Sequence, residues 1–198
     1  MDLSSAGRRG DARDRLLARL LEAFGGVLPS PDLSLREIAS RTGTSHALLR
    51  YHFGSLSGVL AAMLTAQRSR DNEELARAAG TGAFPDLVTA IWRAYSRPEH
   101  LSRVRGFFHV VGLAAYNPAE FAEFIDSLDD LTRMLASVAE RDGLEPADAM
   151  TTAIVVIAAI RGLLLRKVLE PALNSEAALE RILRMCETQT RHGYGVGP

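Results

Sequence analysis

Apolar residues recur at three- and four-residue intervals along nearly the whole of this chain. Leu16, Leu17, Leu20, Leu21 and Phe24 form one stripe, Leu35, Ile38 and Ala39 a second, and Val59, Leu60, Met63 and Leu64 a third. That period is helical. Valine and isoleucine fall inside longer helical patterns rather than in alternating runs bounded by turns, so no strand is expected. Turn signals cut the pattern into about nine helices. The first runs from about Asp11 to Phe24 and stops at Gly25-Gly26. A long one starts after Ser55 and reaches about Ala79, and Gly80-Thr81-Gly82 follows as the best domain boundary. Pro85 lies in the first turn of the next helix, and another begins near Pro98. Asn117-Pro118-Ala119-Glu120 reads as cap, N1 proline and third-position glutamate, opening a helix that ends near Gly143. Pro146 opens a helix to about Leu169. Asn174 or Ser175 caps the last one, which ends near His192-Gly193, leaving a frayed tail.

Residues 34–60 carry the most specific pattern. Ser34 and Glu37 have capping-box spacing, which starts a helix at Leu35. Gly43 sits where that helix must end and the chain must turn. Thr44 or Ser45 caps a second short helix to about Tyr51. This helix is expected to bury Leu48 and Leu49 and to turn Ser45, His46, Ala47, Arg50, Tyr51 and His52 to solvent. A short helix with one buried side and a hydrogen-bonding outer side, held against a partner helix, is what a helix-turn-helix places in the major groove.

Leu35-Arg36-Glu37-Ile38-Ala39, Gly43-Thr44-Ser45, Leu49, Tyr51-His52-Phe53, Ser55 and Leu60 together resemble the DNA-binding signature of the tetracycline-repressor (TetR) family of bacterial regulators. Two positions depart from it. Arg50 stands where the family often has an aromatic residue, and Leu56 where it usually has a phosphate-touching lysine. The resemblance implies an all-α fold: an N-terminal three-helix helix-turn-helix domain and a C-terminal helical ligand-binding and dimerisation domain. The implied division is a flexible basic arm over 1–10, the DNA-binding domain over 11–57, a connecting helix over 58–79, and the C-terminal domain over 80–198. Ser34, Thr44, Ser45, His46, Ala47, Arg50, Tyr51 and His52 become the candidate DNA contacts, with Tyr51 and His52 against the phosphate backbone and Thr44 at a helix N-terminus able to hold phosphate. Phe53 is expected in the core.

Bulk numbers add little. Net charge is −1, so the whole chain is not basic. Residues 1–57 hold eight arginines against six acids, a formal +2, and the remainder 15 basic against 18 acidic residues, a formal −3. Lys167 is the only lysine, and an arginine-dominated cation set suits bidentate phosphate and guanine contacts, although a GC-rich genome produces the same bias. Cys186 is the only cysteine, which excludes an intrachain disulfide or a cysteine zinc site and fits a cytoplasmic protein. The first 14 residues have no apolar run of a signal peptide, and Ala153–Leu165 is too short to span a membrane.

The helix over 146–169 is apolar nearly all round from Ala153 to Leu165, so it must be covered on both sides. The resemblance implies that it and the last helix pair with their copies in a homodimer. The residues assigned to that interface are Ile154, Ile157, Ala158, Arg161, Leu165, Leu179, Ile182, Leu183 and Cys186. Trp92, Tyr95, Phe107, Phe108, His109, Tyr116, Phe124 and Arg161 are the candidates for a small-molecule effector pocket, each also readable as plain core. Arg161 suits either an inter-subunit ion pair or a pocket that holds an acidic ligand. The five histidines are scattered, no metal-ligand spacing or phosphate-binding loop occurs, and no catalytic residue, metal or cofactor is called for. The reading is a dimeric repressor that binds a palindromic double-stranded operator and is released by an effector. The alternatives are an activator, a ligand-independent architectural DNA binder or, last, an all-helical enzyme.

Overall fold

The computed structural model describes the backbone of residues 3–30, 32–80 and 82–192, and the side chains of 10–30, 32–77, 80 and 82–186. Among these residues every regular element is helical. In chain order they are α1 (Leu3–Ala23), α2 (Leu35–Arg41), α3 (His46–Phe53), α4 (Leu56–Ala79), α5 (Phe84–Ser96), a 3₁₀ turn (Pro98–His100), α6 (Leu101–Tyr116), α7 (Ala122–Ser127), α8 (Asp130–Arg141), α9 (Pro146–Leu169) and α10 (Glu176–His192). The all-α class is as the pattern required. The expected frayed tail over 193–198 lies outside the described residues, as do Met1 and Asp2 of the arm and Thr81 of the boundary.

The chain forms two compact units that are not consecutive in sequence. One comprises residues 1–68 and 109–125, the other 69–108 and 126–198. This differs from the linear division into arm, reading domain, connector and C-terminal domain, because α4, α6 and α7 each contribute residues to both units. In the N-terminal unit, Leu16, Leu20 and Leu21 of α1 pack with Ile38 and Ala39 of α2, Leu49 and Phe53 of α3, and Val59 and Met63 of α4. In the C-terminal unit, α5, α8, α9 and α10 share a core built around Trp92, Ile91, Leu135, Ile157, Ile160 and Leu179. The Asp142 carboxylate at the end of α8 accepts the backbone N–H of Phe84 at 2.6 Å, which fixes the start of α5.

Two segments depart from the expected pattern. α1 begins at Leu3, so residues 3–10, expected as an arm, continue the helix. Only Gly7 and Gly10 oppose helix there, at about 0.5–1 kcal/mol each, and no proline interrupts it. The helix expected from Pro118 to Gly143 is instead a turn followed by α7 and α8. Glu120 N–H bonds to Asn117 O (3.2 Å) and Phe121 N–H to Pro118 O (3.2 Å), closing a tight turn. The Glu120 carboxylate accepts from Asn117 Nδ2 (2.9 Å) and, 65 residues away in sequence, from Ser55 Oγ (2.6 Å). The cap chemistry read from the sequence is present, but it ties down a loop.

Arg161 is held by groups of its own unit. Its Nη2 donates to Leu128 O at 3.0 Å, in the break between α7 and α8, and its guanidinium lies 5.7 Å from the centre of the Phe107 ring. An arginine that satisfies a carbonyl released by a helix end and covers an aromatic face serves the fold of its own subunit.

Candidate nucleic-acid interface

The α2–turn–α3 segment is built from local bonds. Ser34 Oγ accepts the N–H of Glu37 (3.3 Å), while the Glu37 carboxylate accepts the N–H of Ser34 (2.7 Å) and its hydroxyl (2.7 Å), a complete capping box. At the other end of α2, Thr44 N–H bonds to Ala39 O (3.0 Å) and Gly43 N–H to Ser40 O (3.4 Å), with Gly43 at φ +60°. This is the six-to-one and five-to-two pattern that ends helices on a left-handed residue, where glycine carries no Cβ penalty. Ser45 then caps α3 by accepting Leu48 N–H at 3.1 Å. Gly54, at φ +75°, closes α3, and Ser55 Oγ accepts Gly58 N–H (3.0 Å) to open α4.

Leu49 and Phe53 point into the core of the unit. Opposite them α3 exposes Ala47, Leu48, Arg50 and Tyr51, with His46 and His52 half-buried at the margins. The exposure of Leu48, at 42%, corrects the expectation that it is buried. Leu48 and Leu49 are about 100° apart around a helix, so a narrow contact cannot take both. The Arg50 side chain makes no hydrogen bond or ion pair with any described residue. Tyr51 lies edge-on to the His52 ring, with centroids 4.9 Å apart.

Thr44 is placed differently from the expectation, while Ser34 is exposed. Thr44 Oγ1 is buried without a hydrogen-bond partner and its N–H is spent on Ala39, so neither group faces outward as a phosphate site requires. The Ser34 hydroxyl is engaged on both sides by Glu37. What the outer face offers is one guanidinium, one phenol, the Ser45 hydroxyl and the apolar groups of Ala47 and Leu48. Guanidinium suits guanine or phosphate, and the apolar groups suit a thymine methyl.

The capping box also sets a pH dependence. The Ser34 backbone N–H, and then its hydroxyl, hold the Glu37 carboxyl below its ordinary value of 4.5. A depressed native value means that the contribution is fully present above the unfolded value and is lost as pH falls through the native one. Glu37→Gln is therefore expected to lower the melting temperature relative to wild type near neutrality, with the difference shrinking below pH 4.5. A difference that grows in acid would contradict this origin.

The candidate pocket residues do not gather within one unit. Trp92, Tyr95, Phe107, Phe108 and Arg161 belong to the C-terminal unit, and His109, Tyr116 and Phe124 to the N-terminal one. Trp92 is 1% exposed in the core and donates Nε1–H to Glu176 Oε1 at 3.2 Å. The Tyr95 hydroxyl donates to Asp71 (3.3 Å), which also pairs with Arg103. Phe107 and Phe108 meet edge to face at 5.2 Å. Tyr116 is 94% exposed. Among the described residues no group of three or more His, Cys, Asp or Glu is placed to hold a metal ion, and no single helix is long and apolar enough to cross a membrane.

Solved structures share this arrangement. A transcriptional regulator from Rhodococcus sp. Rha1 superposes with a TM-score of 0.64 at 22% identity, over 94% of this chain and 99% of its own. A Rhodococcus sp. regulator assigned to the TetR family gives 0.61 at 22% identity, over 91% and 99%. Another assigned to that family, from Mesorhizobium loti, gives 0.61 at 15% identity, over 96% and 99%. The chain has the fold of TetR-family regulators. No protein-family model and no curated protein matches the sequence. The TetR fold thus rests on helix order and packing, at identities where α3 must be judged from its own side chains. Leu48 is the surface residue that sequence reasoning missed, and a helical projection of Leu49 and Phe53 onto one side would have found it.

Proposed function

We propose that the protein is a cytoplasmic, homodimeric transcriptional repressor that reads a palindromic operator with α3 and is released by a small-molecule effector. The observation that carries the reading is the outer face of α3. Arg50, Tyr51, Ala47 and Leu48 are presented together from a helix whose opposite side is locked into a core shared with α1, α2 and α4. The fold shared with TetR-family regulators supports it. Two copies of α3 would enter successive major grooves, about 34–36 Å apart, so the operator should be palindromic.

Dimerisation is supported by an apolar stripe on the C-terminal unit. Ile154, Val155, Ala158, Leu165 and Leu169 of α9 are exposed, as is Met185 of α10. Ile157, Leu179 and Cys186, expected at the same interface, are buried in the core of their own subunit, and Ile182 and Leu183 pack against that core. The interface we propose is therefore the Ile154–Ala158–Leu165 face of α9.

Selection of bound sequences from random DNA tests the reading, and recovery of a two-fold motif is the expected result. Arg50→Ala should then weaken operator binding by about 1–3 kcal/mol if the guanidinium reads a base. If it touches phosphate only, all sequences weaken alike and the salt dependence falls by about one counterion. Fluorescence anisotropy at several salt concentrations, on operator and scrambled duplexes, separates these outcomes. Unchanged affinity in a folded Arg50→Ala protein would remove α3 from the contact. For the effector, a compound that raises the melting temperature must also lower operator affinity, since stabilisation alone reports only binding.

A further inference from the structure

A cavity of about 200 Å³ opens within the N-terminal unit, away from the outer face of α3. Its apolar wall is made by Phe53 of α3 together with Phe121 and Phe124, all three nearly buried. α4 lines it with Gly58, Ala61 and Ala62, which are too short to fill it. Polar groups stand around this wall: Glu120 and Glu123 from the turn and α7, Arg13 from α1, His52 and Thr65.

The charges are unequal. Arg13 is committed: its Nη2 pairs with Glu123 Oε2 at 2.9 Å and its guanidinium lies 5.5 Å from the centre of the Phe53 ring. Glu120 is held by two neutral donors, Ser55 and Asn117, and among the described residues no cation pairs with it. Besides His52, the lining carries two carboxylates and one guanidinium, and that guanidinium is already paired with Glu123. An ionised carboxylate accepts about four hydrogen bonds, so Glu120 keeps capacity for a further donor. Phenyl faces also attract cations. The volume lies below the 300–1,000 Å³ of drug-sized sites, which restricts the ligand to a small molecule.

We infer that this cavity binds a small organic cation, a primary amine carried on an aromatic or short alkyl body. The ammonium donates to Glu120, and the body lies beside Phe53 in the space left by Gly58, Ala61 and Ala62. The site is separate from the aromatic residues expected to form an effector pocket, with Phe124 the one residue in common. It stands on the cavity alone, whether or not α3 reads DNA.

Isothermal titration of the full chain without DNA, using phenethylamine and phenylacetate, provides the test. The two ligands share a ring and differ in the sign of their charge. Phenethylamine is expected to bind saturably and at least about tenfold more tightly than phenylacetate. Glu120→Gln keeps an oxygen for the Ser55 hydroxyl but removes the charge, and is expected to weaken the amine by about tenfold, near 1.4 kcal/mol. Ala61→Leu fills the space and is expected to abolish binding, with circular dichroism verifying that the variant folds. If that variant does not fold, Glu120→Gln decides alone. The assignment is overturned if the amine shows no saturable heat at millimolar concentration, if phenylacetate binds as well, or if Glu120→Gln leaves amine affinity unchanged. Because no DNA is present, failure here leaves the operator experiment untouched, and the reverse also holds.

Discussion

Replacing Gly58 by alanine is expected to remove about 3 kcal/mol of stability, the upper part of the usual range for overpacking. A Cβ built there lies 3.1 Å from the carbonyl carbon of Phe53 and closer still to its oxygen. Both are backbone atoms, and neither can rotate away as a side chain would. They cannot retreat as a unit either. Phe53 O accepts Ser55 N–H at 2.8 Å, Ser55 Oγ accepts Gly58 N–H at 3.0 Å, and Gly54 holds φ +75° between them. Relief of the clash must therefore open the α3–α4 junction, which sets the direction in which α3 leaves the core. At roughly 2–4 °C per kcal/mol for a chain of this size, the melting temperature should fall by about 6–12 °C. Gly112→Ala is the control. Gly112 is also helical, but its Cβ would meet nothing within 4 Å, so alanine there should gain about 0.5–1 kcal/mol. Equal melting temperatures for the two variants would mean that the tight approach at Gly58 is not a constraint.

The second large effect separates two isoleucines three residues apart. Ile157 is 2% exposed and packs with Leu179 and Cys186, whereas Ile154 is 54% exposed on the free side of the same helix. Ile157→Glu buries an unpaired charge and is expected to cost more than about 4 kcal/mol, enough to unfold a marginal protein. Ile154→Glu leaves the subunit core intact and is expected to give a folded monomer. Light scattering after gel filtration, with a thermal melt of each variant, reads both outcomes. A dimer that persists in Ile154→Glu at micromolar concentration would show that this stripe is not the interface. A folded Ile157→Glu protein would show that α9 is turned differently.

The helix ends were legible in the sequence because their causes are local. Ser34 with Glu37, Ser45 before α3, Gly43 in the turn, Pro146 opening α9 and Ser175 before α10 act on groups within a few residues, and each is found at the boundary it signals. Composition and period were enough to exclude strands from the described residues. The direction in which a side chain faces was less accessible. α9 is apolar nearly all round, so no asymmetry in its sequence separates Ile157 from Ile154, and only packing against α5, α8 and α10 decides between them. Leu48 and Leu49 are alike as residues, and only the four-residue spacing of Leu49 from Phe53 marks which of the two faces the core. Long-range pairs were out of reach. Asn117 and Glu120 carry the chemistry of a helix cap in either setting, but Ser55, 65 residues away, draws Glu120 into a turn. Arg161 likewise reads as a lone charge in an apolar helix until Leu128 and Phe107 come beside it. Local bonds thus set the ends of α2 and α3 and the starts of α9 and α10, whereas the turn at Asn117–Glu120 and the orientation of the helices depend on groups distant in sequence that meet only when the chain folds.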